Sequence, residues 1–153
     1  MSFKRKVVYV GFSADILHEG HINILKIAYK LGDVIVGLLT DEAIISYKKI
    51  PHLNYRQREI VLKNIKYVKK VVAQSTLDYR KNLINIKPDY VIHGDDWKYG
   101  VQKKTRSQVL NCIKKWGGKL IEPKYTKNIS STLIKKEILK LGTSPDTRKS
   151  KLK

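Results

Sequence analysis

The sequence predicts an α/β fold, a doubly wound parallel sheet of about five strands with helices on both faces. Three observations carry that expectation. Short apolar runs rich in β-branched residues alternate with amphipathic stretches, the pattern of parallel strands joined by right-handed helical crossovers. The runs are almost continuously apolar, as strands buried on both faces are. Glycine and polar residues collect just after the runs, at the carboxyl ends of strands, where such sheets bind ligands.

The elements follow in order. Residues 6–11 form the first strand around Val7-Val8-Tyr9-Val10, and residues 21–31 the first helix, with Leu25, Ala28 and Tyr29 on one face. A second strand at 33–39 leads into helices at 41–47 and 55–65. A third strand at 68–73 precedes a helix at 79–86, and a fourth strand at 89–93 precedes a helix at 105–116. In that helix Val109, Ile113 and Trp116 share a face, and Gly117-Gly118 ends it. Residues 119–121 make the last strand and 131–141 the last helix, whose start is marked by Ser and Thr. Residues 1–141 are therefore expected to be one domain. Residues 142–153 are basic and without periodicity, so a frayed, disordered tail is expected there.

Composition narrows the class. A chain of 153 residues, 42% of them hydrophobic, fits one domain with a real core. It has no apolar run near the roughly twenty residues that span a bilayer. Met1-Ser2-Phe3-Lys4-Arg5-Lys6 runs straight into the first strand and leaves no apolar segment for secretion, so the expected location is cytoplasmic and no membrane partner is expected. The single cysteine, Cys112, lies in a helical pattern without a partner and reads as core filler. A net charge of +19 favours anionic ligands, since a basic surface focuses field on them, but it does not choose among nucleic acid, an anionic membrane and a polyanionic small molecule.

Four segments carry candidate chemistry. His18-Glu19-Gly20-His21 stands at a strand-to-helix junction, where unpaired N–H groups and the positive helix end meet an anion. Gly20 allows close backbone approach, and two imidazoles three residues apart point the same way, where a triphosphate would sit. Gly94-Asp95-Asp96-Trp97 follows the fourth strand; carboxylates beside an indole suit a nucleobase amino group, a ribose or a metal, or form a plain turn. Thr126 to Thr132 offers hydroxyls before a helix start, a phosphate cradle or an N-cap. Tyr47 to Arg58 is dense in cations, suited to stabilising a phosphoryl transition state or simply to a solvated loop.

Gly11-Phe12-Ser13-Ala14-Asp15-Ile16-Leu17-His18-Glu19-Gly20-His21, Gly94-Asp95-Asp96-Trp97 and Ile129-Ser130-Ser131-Thr132, in this order and spacing, resemble the cytidylyltransferase family typified by glycerol-3-phosphate cytidylyltransferase. The fold implied is Rossmann-like. Val8 to Gly11, residues 89–102 and Trp116-Gly117-Gly118 also resemble the cytidylyltransferase domains that accompany phosphoenolpyruvate mutase in phosphonate biosynthesis. The resemblance implies that His18 and His21 contact the triphosphate of CTP and, with Lys49, act in catalysis. Lys48 is the alternative to Lys49 if the register slips by one. It further implies a CTP pocket made by Gly11, Phe12, Ser13, Ala14, Gly20, Gly94, Asp96, Trp97, Ile129, Ser130, Ser131 and Thr132. Asp15, Arg58 and Lys48 are implied on the acceptor side, with Asp15 near the histidines or the metal.

The chain departs from the family where glycerol-3-phosphate members read Arg-Thr-Glu-Gly-Ile-Ser-Thr-Thr and this one reads Tyr125-Thr126-Lys127-Asn128-Ile129-Ser130-Ser131-Thr132. The arginine is missing, Lys124 or Lys127 being candidates to replace it, and Asn128 stands where a glycine's left-handed conformation is needed. The expected reaction is CMP transfer from CTP to a small phosphonate, 2-hydroxyethylphosphonate or 2-aminoethylphosphonate, with release of pyrophosphate. Glycerol 3-phosphate, phosphocholine and phosphoethanolamine are alternative acceptors. Mg²⁺ is the expected cofactor, bound by the triphosphate rather than by protein ligands, and a homodimer is implied. Two rival readings are an adenylyltransferase of the same superfamily and a nucleic-acid-binding protein on a nucleotide-binding fold, the latter not expected.

Overall fold

The computed structural model describes residues 3–142. Five strands form one parallel sheet: β1 (Val7–Phe12), β2 (Asp33–Leu39), β3 (Val68–Gln74), β4 (Tyr90–Ile92) and β5 (Lys119–Ile121), in spatial order β3-β2-β1-β4-β5. Order reverses beside β1, between β2 and β4, and the crevice of a doubly wound sheet opens at that point. The helices are α1 (Glu19–Leu31), α2 (Asp41–Ile45), α3 (Tyr55–Lys63), α4 (Arg80–Ile86), α5 (Lys103–Ile113) and α6 (Ser131–Gly142).

Strand alternation sends side chains to two cores. Val8 and Val10 of β1 join Val34, Val36 and Leu38 of β2, Leu25 and Ala28 of α1 and Leu62 of α3 on one face. Tyr9, between them, points to the other face and packs with Val91, Leu83, Trp97, Val109, Cys112 and Ile113. Among the described residues, no buried side-chain nitrogen or oxygen lacks a hydrogen-bond partner.

Several boundaries differ from the expected ones for local reasons. The first helix starts at Glu19 because His18 serves as its N-cap. The second stops at Ile45, where the Ser46 hydroxyl donates to the Ala43 carbonyl and turns the chain. Residues 95–102, which carry no period, form two short 3-10 turns before α5. That helix ends at Ile113 and tightens into a 3-10 turn closed by Gly117 at φ +77°. Cys112 is buried. Gly142 belongs to α6, and the remainder of the expected tail, 143–153, lies outside the described residues. No described helix is long and apolar enough to cross a membrane.

Candidate active site

A cavity of about 400 Å³ opens at the carboxyl ends of β1, β2 and β4. Its first wall is the start of α1, where two imidazoles cap the helix. His18 Nδ1 accepts the Gly20 N–H at 3.0 Å, and His21 Nδ1 accepts the His18 N–H at 3.2 Å. This is a reciprocal capping box built from histidines. Gly20 is required locally: a Cβ there would stand 2.7 Å from His18 Cε1.

The caps fix the chemistry of the rings. A nitrogen that accepts a backbone N–H carries no proton, so each neutral imidazole bears its proton on Nε2 and serves as a hydrogen-bond donor there. The rings lie 4.1 Å apart by centroid, and His21 meets the edge of Phe12. Burial holds His18 below the usual imidazole range, against the opposing charge of Glu19. Burial, with the nearby His18 and the Lys48 ammonium, holds His21 at about 4.

An unfolded imidazole takes up its proton near pH 6.5, whereas folded His21 does so at about 4. Protons therefore favour the unfolded chain as pH falls through this window, and the contribution from His21 is complete above it. Thermal unfolding is expected to show a midpoint that declines from pH 6.5 to 4, with a smaller decline in His21→Asn; equal declines in both would contradict this.

A second wall comes from the ends of β4 and β5. His93 stacks on Trp97, ring centroids 3.8 Å apart and planes 4° from parallel, and its Nδ1–H donates to the Gly94 carbonyl at 2.8 Å. Its Nε2 is thereby left as an acceptor, and burial depresses its basicity against the pull of that carbonyl and of Asp96. Trp97 is 1% exposed and donates Nε1–H to Glu122 at 2.7 Å. Arg106 holds the same carboxylate through Nε and Nη2, at 2.9 and 2.8 Å. Asp96, Gly94 and Tyr125 face the cavity in front of this stack.

The third wall is the start of α6, with Ser130, Ser131 and Thr132. Asn128 adopts φ +64°, the left-handed conformation expected of it, and brings these hydroxyls round. The fourth is Leu39, Tyr47, Lys48, Leu77 and Tyr79. Tyr79 closes against β1, and a Cβ on Gly11 would collide with its ring.

The sequence from residue 9 to 137 matches the model of the family described as "Cytidylyltransferase-like". The chain belongs to the cytidylyltransferase-like family. Its members are nucleotidyltransferase enzymes. The chain is 32% identical over 137 residues to glycerol-3-phosphate cytidylyltransferase of Bacillus subtilis, spanning 88% of this chain and 97% of that one. It is 39% identical over 101 residues to ethanolamine-phosphate cytidylyltransferase of Arabidopsis thaliana, spanning 61% of this chain and 24% of the relative. Its backbone resembles the crystal structure of a lipopolysaccharide core biosynthesis protein from Thermoplasma volcanium, with a TM-score of 0.65 and 27% identity over 81% of this chain and 98% of the other. The fold is thus the Rossmann-like α/β sheet expected.

Within this cytidylyltransferase-like chain the site residues expected from sequence divide into two groups. Gly11, Phe12, Ser13, His18, Gly20, His21, Lys48, Gly94, Asp96, Ser130, Ser131 and Thr132 line one cavity. Lys49, Trp97, Asp15, Arg58, Ala14 and Ile129 are not among its lining residues. Lys49 is exposed and does not line the cavity; Lys48 does, because its N–H bonds the Ile44 carbonyl at 2.9 Å and keeps it against α2. Trp97 stands behind the wall as support.

Asp15 and Arg58, expected to hold the acceptor, are turned into the protein. Arg58 is 1% exposed, and its guanidinium donates to the carbonyls of Leu53, Ser13 and Leu39 and to Asp41, at 2.6 to 3.0 Å. The Asp15 carboxylate is engaged by His52, Leu53 and Lys135. Ala14 and Ile129 do not reach the cavity, nor do Lys124 and Lys127. His93, Tyr79 and Leu77 line the cavity but were not among the expected residues. His93 had a signal, its place between a strand and Gly94-Asp95-Asp96; Tyr79 read only as a helix start.

Proposed function

We propose that the chain transfers CMP from CTP to a small phosphate- or phosphonate-bearing acceptor. The observation that carries this is the pair of Nε2–H donors of His18 and His21 in one cavity with Lys48 and the Ser130-Ser131-Thr132 helix start. An acceptor oxygen attacks the α-phosphorus, the bond to the bridging oxygen breaks, and pyrophosphate leaves with the electron pair. Charge builds on the phosphoryl oxygens and the leaving group. Fixed neutral donors, a lysine and a helix N-terminus are the groups that stabilise such charge without reorganising. No covalent enzyme intermediate is needed.

The nucleoside side is read as the wall of Gly94, Asp96, Tyr125 and His93, where the His93 Nε2 acceptor suits a donor group on the nucleoside. Among the described residues no group of three or more His, Cys, Asp or Glu side chains gathers as a metal cluster. A magnesium ion fits as the counter-ion of the triphosphate: it wants hard oxygen donors, the phosphates supply them, and Asp96 is the carboxylate that lines the cavity. Bound there it adds charge neutralisation. The homodimer is part of the same proposal, and Ile60 and Val61, exposed on α3, supply apolar surface for it.

For the acceptor, the wall of Leu39, Tyr47, Leu77 and Tyr79 beside Lys48 supports a short uncharged tail behind the phosphate. The carboxylates behind Lys48 are engaged elsewhere, Asp41 by Arg58 and Asp15 by Lys135, and Asp96 is read as facing the nucleoside and its metal, so an ammonium tail would meet chiefly Lys48. Glycerol 3-phosphate, the acceptor in the name of a relative matched over nearly its whole length, is read as the first acceptor. 2-Hydroxyethylphosphonate is the second, kept by the likeness of residues 89–102 to phosphonate-pathway domains. A screen of kcat/KM with CTP over these two, 2-aminoethylphosphonate, phosphoethanolamine and phosphocholine tests the reading. The hydroxyl-bearing acceptors are expected to lead by at least about tenfold, the worth of roughly 1.4 kcal/mol of differential binding; an amino-bearing acceptor in front would overturn it.

A further inference from the structure

Asp15 is 6% exposed, and each of its two carboxylate oxygens takes two donors. Oδ1 accepts the N–H groups of His52 and Leu53 at 2.8 and 3.0 Å. Oδ2 accepts Lys135 Nζ at 2.7 Å and contacts His52 Nδ1 at 3.1 Å. Burial alone would raise the carboxyl's pKa; the Lys135 ammonium and the donors of Leu53 and His52 outweigh it and hold the group well below the usual carboxylate range.

The donors belong to two segments that reach the cavity from different sides. His52 and Leu53 end the loop that carries Tyr47 and Lys48. Lys135 lies one helical turn after Ser131 on α6. That helix has no buried residue, so polar ties weigh heavily in placing it. Two of them fall at i and i+4 on one face: Ser131 Oγ donates to the Ile16 carbonyl at 3.0 Å, and Lys135 reaches Asp15. Both land on the β1–α1 loop that carries Ser13 and leads to His18.

We propose that Asp15 and Lys135 are a positioning pair, which holds the Lys48 loop and the hydroxyl-bearing start of α6 at the spacing that grips a triphosphate between them. The proposal rests on reading those walls as triphosphate-binding. Neither residue touches substrate. With the pair cut, the loop and the helix start must be ordered when the nucleotide binds, at an entropic cost, and they settle less accurately around the reacting phosphate.

The test uses the full chain with Lys135→Met, Lys135→Arg, Asp15→Asn and the double variant Asp15→Asn/Lys135→Met. CTP affinity is measured by calorimetry and kcat by pyrophosphate release. Lys135→Met is expected to weaken CTP binding and lower kcat by about tenfold each, because misplacement of about 1 Å is costly in such sites. Lys135 is 33% side-chain exposed but Asp15 only 6%, so Lys135→Met is expected to lower the melting temperature as well, and both assays are made well below it on folded protein. Lys135→Arg keeps the charge and is expected to return both values to within about threefold of wild type. The double variant should be no worse than the worse single one, the signature of one shared interaction. Overturning results are CTP affinity and kcat of Lys135→Met within twofold of wild type, equal loss in Lys135→Arg, or additive losses in the double variant. A wild type that binds CTP while Lys135→Met binds it equally well sinks the pair alone; a wild type that binds no CTP sinks it together with the nucleotide reading.

Discussion

Replacing His21 or His18 with asparagine is expected to slow CTP-dependent pyrophosphate release about 10²–10³-fold, the usual worth of one fixed donor at a developing charge. Asparagine is the informative choice. At position 18 it remains a good N-cap, its oxygen able to accept the Gly20 N–H that His18 Nδ1 now accepts, while the Nε2–H donor is lost. Helix α1 should therefore survive, and the loss should fall on turnover. Because the rings cap α1 through Nδ1, a donated proton at Nδ1 would break the box, and neither ring is suited to act as a standing cation. The rate should accordingly follow neutral histidine, with no rise on entering the acid range. Turnover of His18→Asn within about threefold of wild type would remove the histidines from the chemistry.

Replacing Arg58 with methionine is expected to destabilise the fold by about 3–5 kcal/mol, the range for removing one partner of a buried ion pair. Its side chain is 0% exposed and pairs with Asp41 at 2.6 Å. It also ties the carbonyls of Ser13, Leu39 and Leu53, from three separate segments around the cavity. Methionine matches much of the volume but leaves those acceptors and the Asp41 carboxylate without their donor. Lysine keeps the charge without the planar fork and should fall between. Urea unfolding measures this as a lower midpoint at unchanged slope. A loss below about 1 kcal/mol joined to a selectively raised KM for the acceptor would instead return Arg58 to the acceptor site.

These two residues also mark what the sequence made legible. Strand β2 begins and ends where its apolar run does, because a strand buried on both faces has no polar alternation to blur its ends; β5, at the sheet edge, is bounded instead by Gly118 and Glu122. The place of the two histidines and of the Ser130-Ser131-Thr132 helix start on one cavity was legible from residue type and position, since a strand end or a helix start is a local feature. The internal bonding of Arg58 and Asp15 was not legible for the opposite reason. What they do is decided by partners 17 and 120 residues away, and nothing local distinguishes a buried tie from a ligand. Of the two candidate lysines, Lys48 lines the cavity and Lys49 does not, in a loop whose course is set by the turn after α2. The 3-10 turns at 95–102 carry no period, so the wall they build, with His93 stacked on Trp97, emerged only in three dimensions.

The measurement that bears most directly on the central claim is pyrophosphate release by the full chain with Mg²⁺, comparing CTP with ATP and the presence of glycerol 3-phosphate with its absence. The account predicts release that needs both CTP and the acceptor, with ATP at least about tenfold poorer, a difference of roughly 1.4 kcal/mol in the transition state. Release driven equally by ATP, or no acceptor-dependent release with CTP from glycerol 3-phosphate or any of the four other acceptors, would contradict it.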